Sequence, residues 1–168
     1  QEVQDGTAGA LRLAQDMIHH EPFLMTFGDI LASFKNYPRM IEDFHNHQPD
    51  CLLSVNYVDD PYLGAAVYFN EEMNIYDIVE KPPQGTARTH WNQAGIFIFQ
   101  PNIFQYIHQL KKSARGEFEI TEAIAHSIND GKIVRAFEID GYRCEIGNPE
   151  DIEWFNRMYQ QNPHFLKD

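Results

Sequence analysis

Short apolar runs recur along this chain and alternate with segments of helical period. FLMTF at 23–27, CLLSVNYV at 51–58, GAAVYF at 64–69, IYDIV at 75–79, AGIFIF at 94–99 and IVRAFEI at 133–139 are each too short for a core helix and rich in β-branched and aromatic residues. Between them lie stretches with apolar residues at i, i+3/4 and i+7. Such alternation points to an α/β domain. The chain has 168 residues, enough for one domain with a substantial core. No apolar run approaches the ~20 residues that a membrane helix needs.

Residues 7–18 read as a helix capped by Thr7, with Ala10, Leu11, Ala14, Met17 and Ile18 on its inner face. Residues 38–47 read as a second helix, with Pro38 in its first turn and Met40, Ile41 and Phe44 facing inward. Pro101 opens a helix over 101–111, and Thr121 caps one that ends near Gly131. Asp140-Gly141 between two strand-like runs is a hairpin signal. Asn148, Pro149 and Asp151 form the start of a last helix, whose stripe of Ile152, Phe155 and Tyr159 is expected to be buried.

The formal charge of −12 argues against binding a nucleic-acid polymer, which needs a basic surface. A small phosphorylated ligand remains compatible, since it needs only a local lysine, backbone N–H groups or a divalent metal. Cys51 and Cys144 have no metal spacing and read as free thiols, and QEVQDGTAG is neither a secretion signal nor a transit peptide, so a cytoplasmic location is expected. His45 and His47 close a helix, where a positive charge is mildly favoured, and no Cys/His cluster accompanies them.

Two strand ends carry chemistry. FLMTF, read as buried on both faces, stops at Gly28-Asp29. In open α/β sheets ligands sit beyond the carboxyl ends of strands, so Asp29 is either a hard-metal ligand or an acid capping the next turn. IVEKPP ends in Glu80 and Lys81 before two prolines. Pro82 is expected to hold Lys81 extended. The pair suits either a phosphate and a hydroxyl or a surface ion pair. Glu145 follows the Asp140-Gly141 turn and is able to share a metal with Asp29 if their strands are neighbours.

Taken in order, QEVQDGTAGAL (1–11), PFLMTFGDIL (22–31), GAAVYFNEEMNIYDIVEKP (64–82), QAGIFIFQP (93–101), GEFEITEAI (116–124) and GYRCEIGNPEDI (141–152) resemble the sugar-1-phosphate nucleotidyltransferases. These enzymes make nucleotide sugars from a nucleoside triphosphate and a sugar 1-phosphate. The resemblance implies a Rossmann-like α/β fold, with a mixed, mostly parallel sheet and flanking helices. It implies Mg²⁺ on Asp29 and Glu145, with Asp29 and Lys81 as the catalytic residues. Gly64, Glu80 and Lys81 would hold the sugar phosphate, Gln93 falls where many members carry a sugar-binding asparagine, and Gln1 and Gly6 would face the base. Arg143, Glu145 and Asn148 stand where a tryptophan, an aspartate and a threonine are usual. The family's opening strand and Gly-rich triphosphate loop are not found, so residues 1–168 are expected to form the C-terminal two thirds of the catalytic domain, inactive alone. A non-catalytic homologue that binds nucleotide sugar is the alternative, and oligomeric state is left open.

Overall fold

The computed structural model describes residues 2–18 and 20–164. Its axis is β6 (Trp91–Phe99), in which residues 92–99 are all buried. One edge of β6 pairs antiparallel with β3 (Cys51–Tyr57). The opposite edge is shared. β1 (Phe23–Thr26) runs antiparallel along residues 96–99, and β4 (Ala65–Phe69) meets β6 through the pair Ala66 and Asn92. β5 (Ile75–Glu80) pairs antiparallel with β4, and β7 (Val134–Glu138) lies parallel beside β3. A separate ribbon joins β2 (Ile30–Ala32) to β8 (Arg143–Glu145).

Helices cover both faces. α1 (Thr7–Arg12), α3 (Ile103–Ile107) and α4 (Ile120–Asn129) pack with Leu53, Val55, Phe97 and Phe99 in the larger core cluster. α2 (Asn36–His47) sends Met40 and Phe44 against Leu52, Ile96 and Ile98 on the other face. The period-2 alternation of β6 thus serves two cores at once. No helix among the described residues is long and apolar enough to cross a membrane. Both cysteines are free.

The α/β class, the mixed sheet and the flanking helices are as expected, but the pairing is not mostly parallel. Among the described strands, only β3 and β7 run parallel. For β4 and β5 the reason is a short connection: the link is a tight turn over 70–74, in which Asn70 N donates to the Asn74 carbonyl at 3.0 Å, and such a link permits only antiparallel neighbours.

Other expectations are corrected as well. β1 is half-buried rather than buried on both faces, because Phe23 and Met25 pack against the larger core while Leu24, on the other face, is 39% exposed. The first helix ends at Arg12, followed by a 3₁₀ turn at Gln15–Met17; Thr7 accepts a hydrogen bond from Ile120 N and does not cap its own helix. Ala10 and Met17, expected on the inner face, are exposed because the chain leaves the helical path after Arg12, and Ile41 is 45% exposed. The helix expected over 101–111 is limited to Ile103–Ile107, and Thr121 lies inside α4, whose N-cap is Glu119. β7 and β8 do not form a hairpin, since each pairs with a different sheet. Instead the Asn36 side chain takes both backbone groups of Asp140 at 2.9 Å, where a hairpin partner would sit. α5 (Pro149–Gln161) has the capping box read from Asn148 and Asp151, yet its apolar stripe is not buried.

Candidate active site

Along the edge of β6 that faces away from β3, no described strand pairs with residues 93–95. This stretch lies opposite a register shift in β3 between Leu53 and Val55, where Ile96 N donates to Ser54 Oγ at 3.0 Å. Two chain segments approach it from opposite directions. From one side β1 delivers Phe27, whose N–H donates to the Gly95 carbonyl at 2.9 Å, followed by Gly28 and Asp29. From the other side come Gly64 and Ala65 at the start of β4, with Glu80 in register opposite Ala65.

The backbones at Asp29 and Glu145 are neighbours. Glu145 is paired with Ile30 on the β2–β8 ribbon, and Ile146 N donates to the Asp29 carbonyl at 2.8 Å. The Asp29 carboxylate is exposed and makes no hydrogen bond or ion pair with another described residue. A Cβ on Gly28 would meet nothing within 4 Å, so space is left beside that carboxylate. Glu145 is ion-paired to Arg143 at 3.4 Å, and Arg143 Nε reaches the Ala94 carbonyl at the same distance. Among the described residues no group of three His, Cys, Asp or Glu side chains is arranged to hold a metal. By donor type the carboxylates at these two positions fit Mg²⁺, which takes one or two carboxylates and completes its shell with phosphate oxygens and water.

Glu80 and Lys81 line a cleft of ≈ 400 Å³ together with Arg115, Glu119 and Thr121. Burial pushes the Glu80 carboxyl above its ordinary value, against the lowering effect of the hydrogen bond from Thr121 Oγ1 at 2.9 Å. Glu119 raises it further, while Lys81 and Arg115 lower it. Lys81 is not extended: its φ is 40°, with its N–H donating to the Gly64 carbonyl at 2.7 Å. That hydrogen bond overrides the preference of a residue before proline, at a local cost of about 1–3 kcal/mol. The Lys81 side chain is exposed.

Gln93 is buried and shares the α4 face of the sheet with Glu80 through its pairing with Val55. Gly6 (φ 102°) packs so closely that a Cβ would stand 2.5 Å from the Phe118 carbonyl. Its neighbour Asp5 lines an open cleft of ≈ 540 Å³ together with Val3, Gly9 and Arg12. Gln1 lies outside the described residues. Sequence reasoning missed Arg115, which bridges Glu80, Glu117 and Glu119 at 3.4, 3.0 and 3.4 Å. The available signal was a lone arginine before Gly116, followed by acids at 117 and 119.

A family model described as nucleotidyl transferase matches residues 1–162. The chain belongs to this family. A UTP–glucose-1-phosphate uridylyltransferase, AglF, of Haloferax volcanii is 32% identical over 163 residues, covering 96% of this chain and 65% of the relative. Agl11, a low-salt glycan biosynthesis nucleotidyltransferase of the same organism, is 27% identical, with 96% of this chain and 44% of the relative covered. Among solved structures, a UDP-glucose pyrophosphorylase complexed with UDP-glucose superposes with a TM-score of 0.85 at 25% identity, over 96% of this chain and 65% of that one. The chain thus spans between about two fifths and two thirds of these relatives, and the nucleotidyl transferase assignment extends over nearly all of it.

Proposed function

We propose that the protein containing this chain transfers a nucleotidyl group from a nucleoside triphosphate to a sugar 1-phosphate in the cytoplasm. A phosphate oxygen of the sugar attacks the α-phosphorus, a new P–O bond forms, the bond to the β-phosphate bridge breaks, and pyrophosphate leaves. The observation that carries this reading is the approach of two differently equipped segments to the open edge of β6 at 93–95: the Asp29–Glu145 pair from one side and the Gly64–Glu80–Lys81 group from the other. In this reading Lys81 holds the sugar phosphate as a point charge and Glu80 accepts from a sugar hydroxyl. Gly64 and Gln93 line the sugar side, while Gly6 and Gln1 belong to the base side. Asp29 and Glu145 would hold Mg²⁺, which supplies neutralisation of charge on the phosphates. No protein nucleophile is required.

The Arg143–Glu145 ion pair favours a second reading, a homologue that binds nucleotide sugar without turnover. Pyrophosphate release by the full chain, with glucose 1-phosphate, Mg²⁺ and each nucleoside triphosphate in turn, separates the two. The enzyme reading expects Mg²⁺-dependent release that falls by about 10²-fold or more in Asp29→Ala, as loss of a transition-state charge stabiliser does. Calorimetric binding of a nucleotide sugar without release supports the second reading, and neither binding nor release overturns both.

A further inference from the structure

Asn92 is a polar side chain, only 8% exposed, at the pairing of β4 with β6. Its Oδ1 accepts from Ala65 N at 3.1 Å, and its Nδ2 donates to the Gln93 carbonyl at 2.7 Å and to Asn56 Oδ1 at 3.3 Å. A Cβ on Gly64 would stand 2.1 Å from Oδ1, so the absence of a side chain at 64 is what admits this amide. The next link is backbone: the Gly64 carbonyl accepts from Lys81 N at 2.7 Å, and Ala65 is the register partner of Glu80. Lys81 sits in the left-handed region (φ 40°), which a lysine keeps only where its surroundings impose it. An apolar residue at 92 would leave Ala65 N without its acceptor and would release the start of β4 from β6.

We propose that Asn92 is a positioning residue for the Glu80–Lys81 pair: by clamping Gly64-Ala65 to β6 it fixes the carbonyl that holds Lys81, and so sets where the ammonium points. This rests on the reading that Lys81 receives the phosphate of a sugar 1-phosphate. Asn92 touches no substrate in this account and acts only through Gly64 and Ala65.

Two measurements on the full chain test it, with Asn92→Ala compared with wild type. In the ligand-free protein, amide hydrogen exchange at Lys81 and Ala65 is expected to speed up by about tenfold or more, while amides of β3 and α4 keep their rates. In calorimetry, the Kd for glucose 1-phosphate is expected to rise by about tenfold or more, the size of effect a misplaced binding group produces, with the Kd for nucleoside triphosphate unchanged. Asn92→Asp keeps an acceptor for Ala65 N and is expected to retain slow exchange at Ala65 and Lys81; it also serves if the alanine variant does not fold. Unchanged Lys81 exchange in Asn92→Ala overturns the proposal, as does a uniform rise in exchange with loss of both ligands, the mark of a merely structural role. If wild type binds no glucose 1-phosphate, the sugar-phosphate reading fails, and the exchange rates alone decide whether Asn92 holds Lys81.

Discussion

Glu80 carries a carboxylate where burial disfavours its charge, so its folded-state pKa lies above the ordinary 4.5. A carboxyl raised in this way contributes stability that is full below its unfolded value and is lost as pH rises through the folded value. Glutamine is neutral throughout. Glu80→Gln is therefore expected to melt higher than wild type at pH 7, with the difference closing towards pH 4, and at the same time to bind sugar 1-phosphate less tightly. Thermal unfolding at the two pH values checks the first part, and a melting point unchanged or lower at pH 7 contradicts it. The Glu80–Lys81 pair was legible because IVEKPP concentrates an apolar run, two opposite charges and two prolines in six residues. Arg115 was not legible, because its partner Glu80 lies 35 residues away and is reached only when the loop before α4 folds over the end of β5.

Among the elements, local signals held where the partners are local. The α5 cap is legible from Asn148 and Asp151 because both groups that satisfy each other sit within three residues. The Asp140-Gly141 turn misled because the competitor is distant. Asn36, on α2, accepts from Asp140 N and donates to its carbonyl, with a further bond to the Ser33 carbonyl at 3.1 Å. This side chain holds the turn between β7 and β8, and β8 pairs with β2, in register with Ile30 at Glu145. Asn36→Ala removes these three hydrogen bonds, two of them part-buried, at an expected cost of about 1–3 kcal/mol in urea unfolding. If Asn36 is what holds this turn, the variant will also lose amide protection at 140–142.

For the whole molecule, stability and site geometry meet in β6. Phe97 is fully buried, with its ring 5.4 Å from Phe99 and 5.5 Å from Phe27, the residue that leads into Gly28-Asp29. Phe97→Ala is expected to cost about 3–5 kcal/mol, the range for an aromatic core truncation. Because Phe27 loses its neighbour, the same variant is expected to weaken the Mg²⁺ dependence proposed above as well as lowering the denaturation midpoint. A fall in stability with unaltered Mg²⁺ dependence would show that the 27–29 turn is held by Gly95 and Ile146 alone.

The amino-acid sequence by itself determined the α/β class, the places of most strands and helices, the caps of α5 and the residue types at two strand ends, because each depends on groups within a few positions of one another. Tertiary structure decided which strands pair and in which direction, that Lys81 turns left-handed rather than extended, that Arg115 sits on Glu80 and that Asn92 clamps the start of β4. Those outcomes depend on hydrogen bonds between residues 17 to 104 positions apart, such as Lys81 to Gly64 and Asn36 to Asp140, which no local pattern encodes. The same long-range pairing turned two unrelated strand ends towards one stretch of β6, because a strand has two edges and β3 already occupies the other.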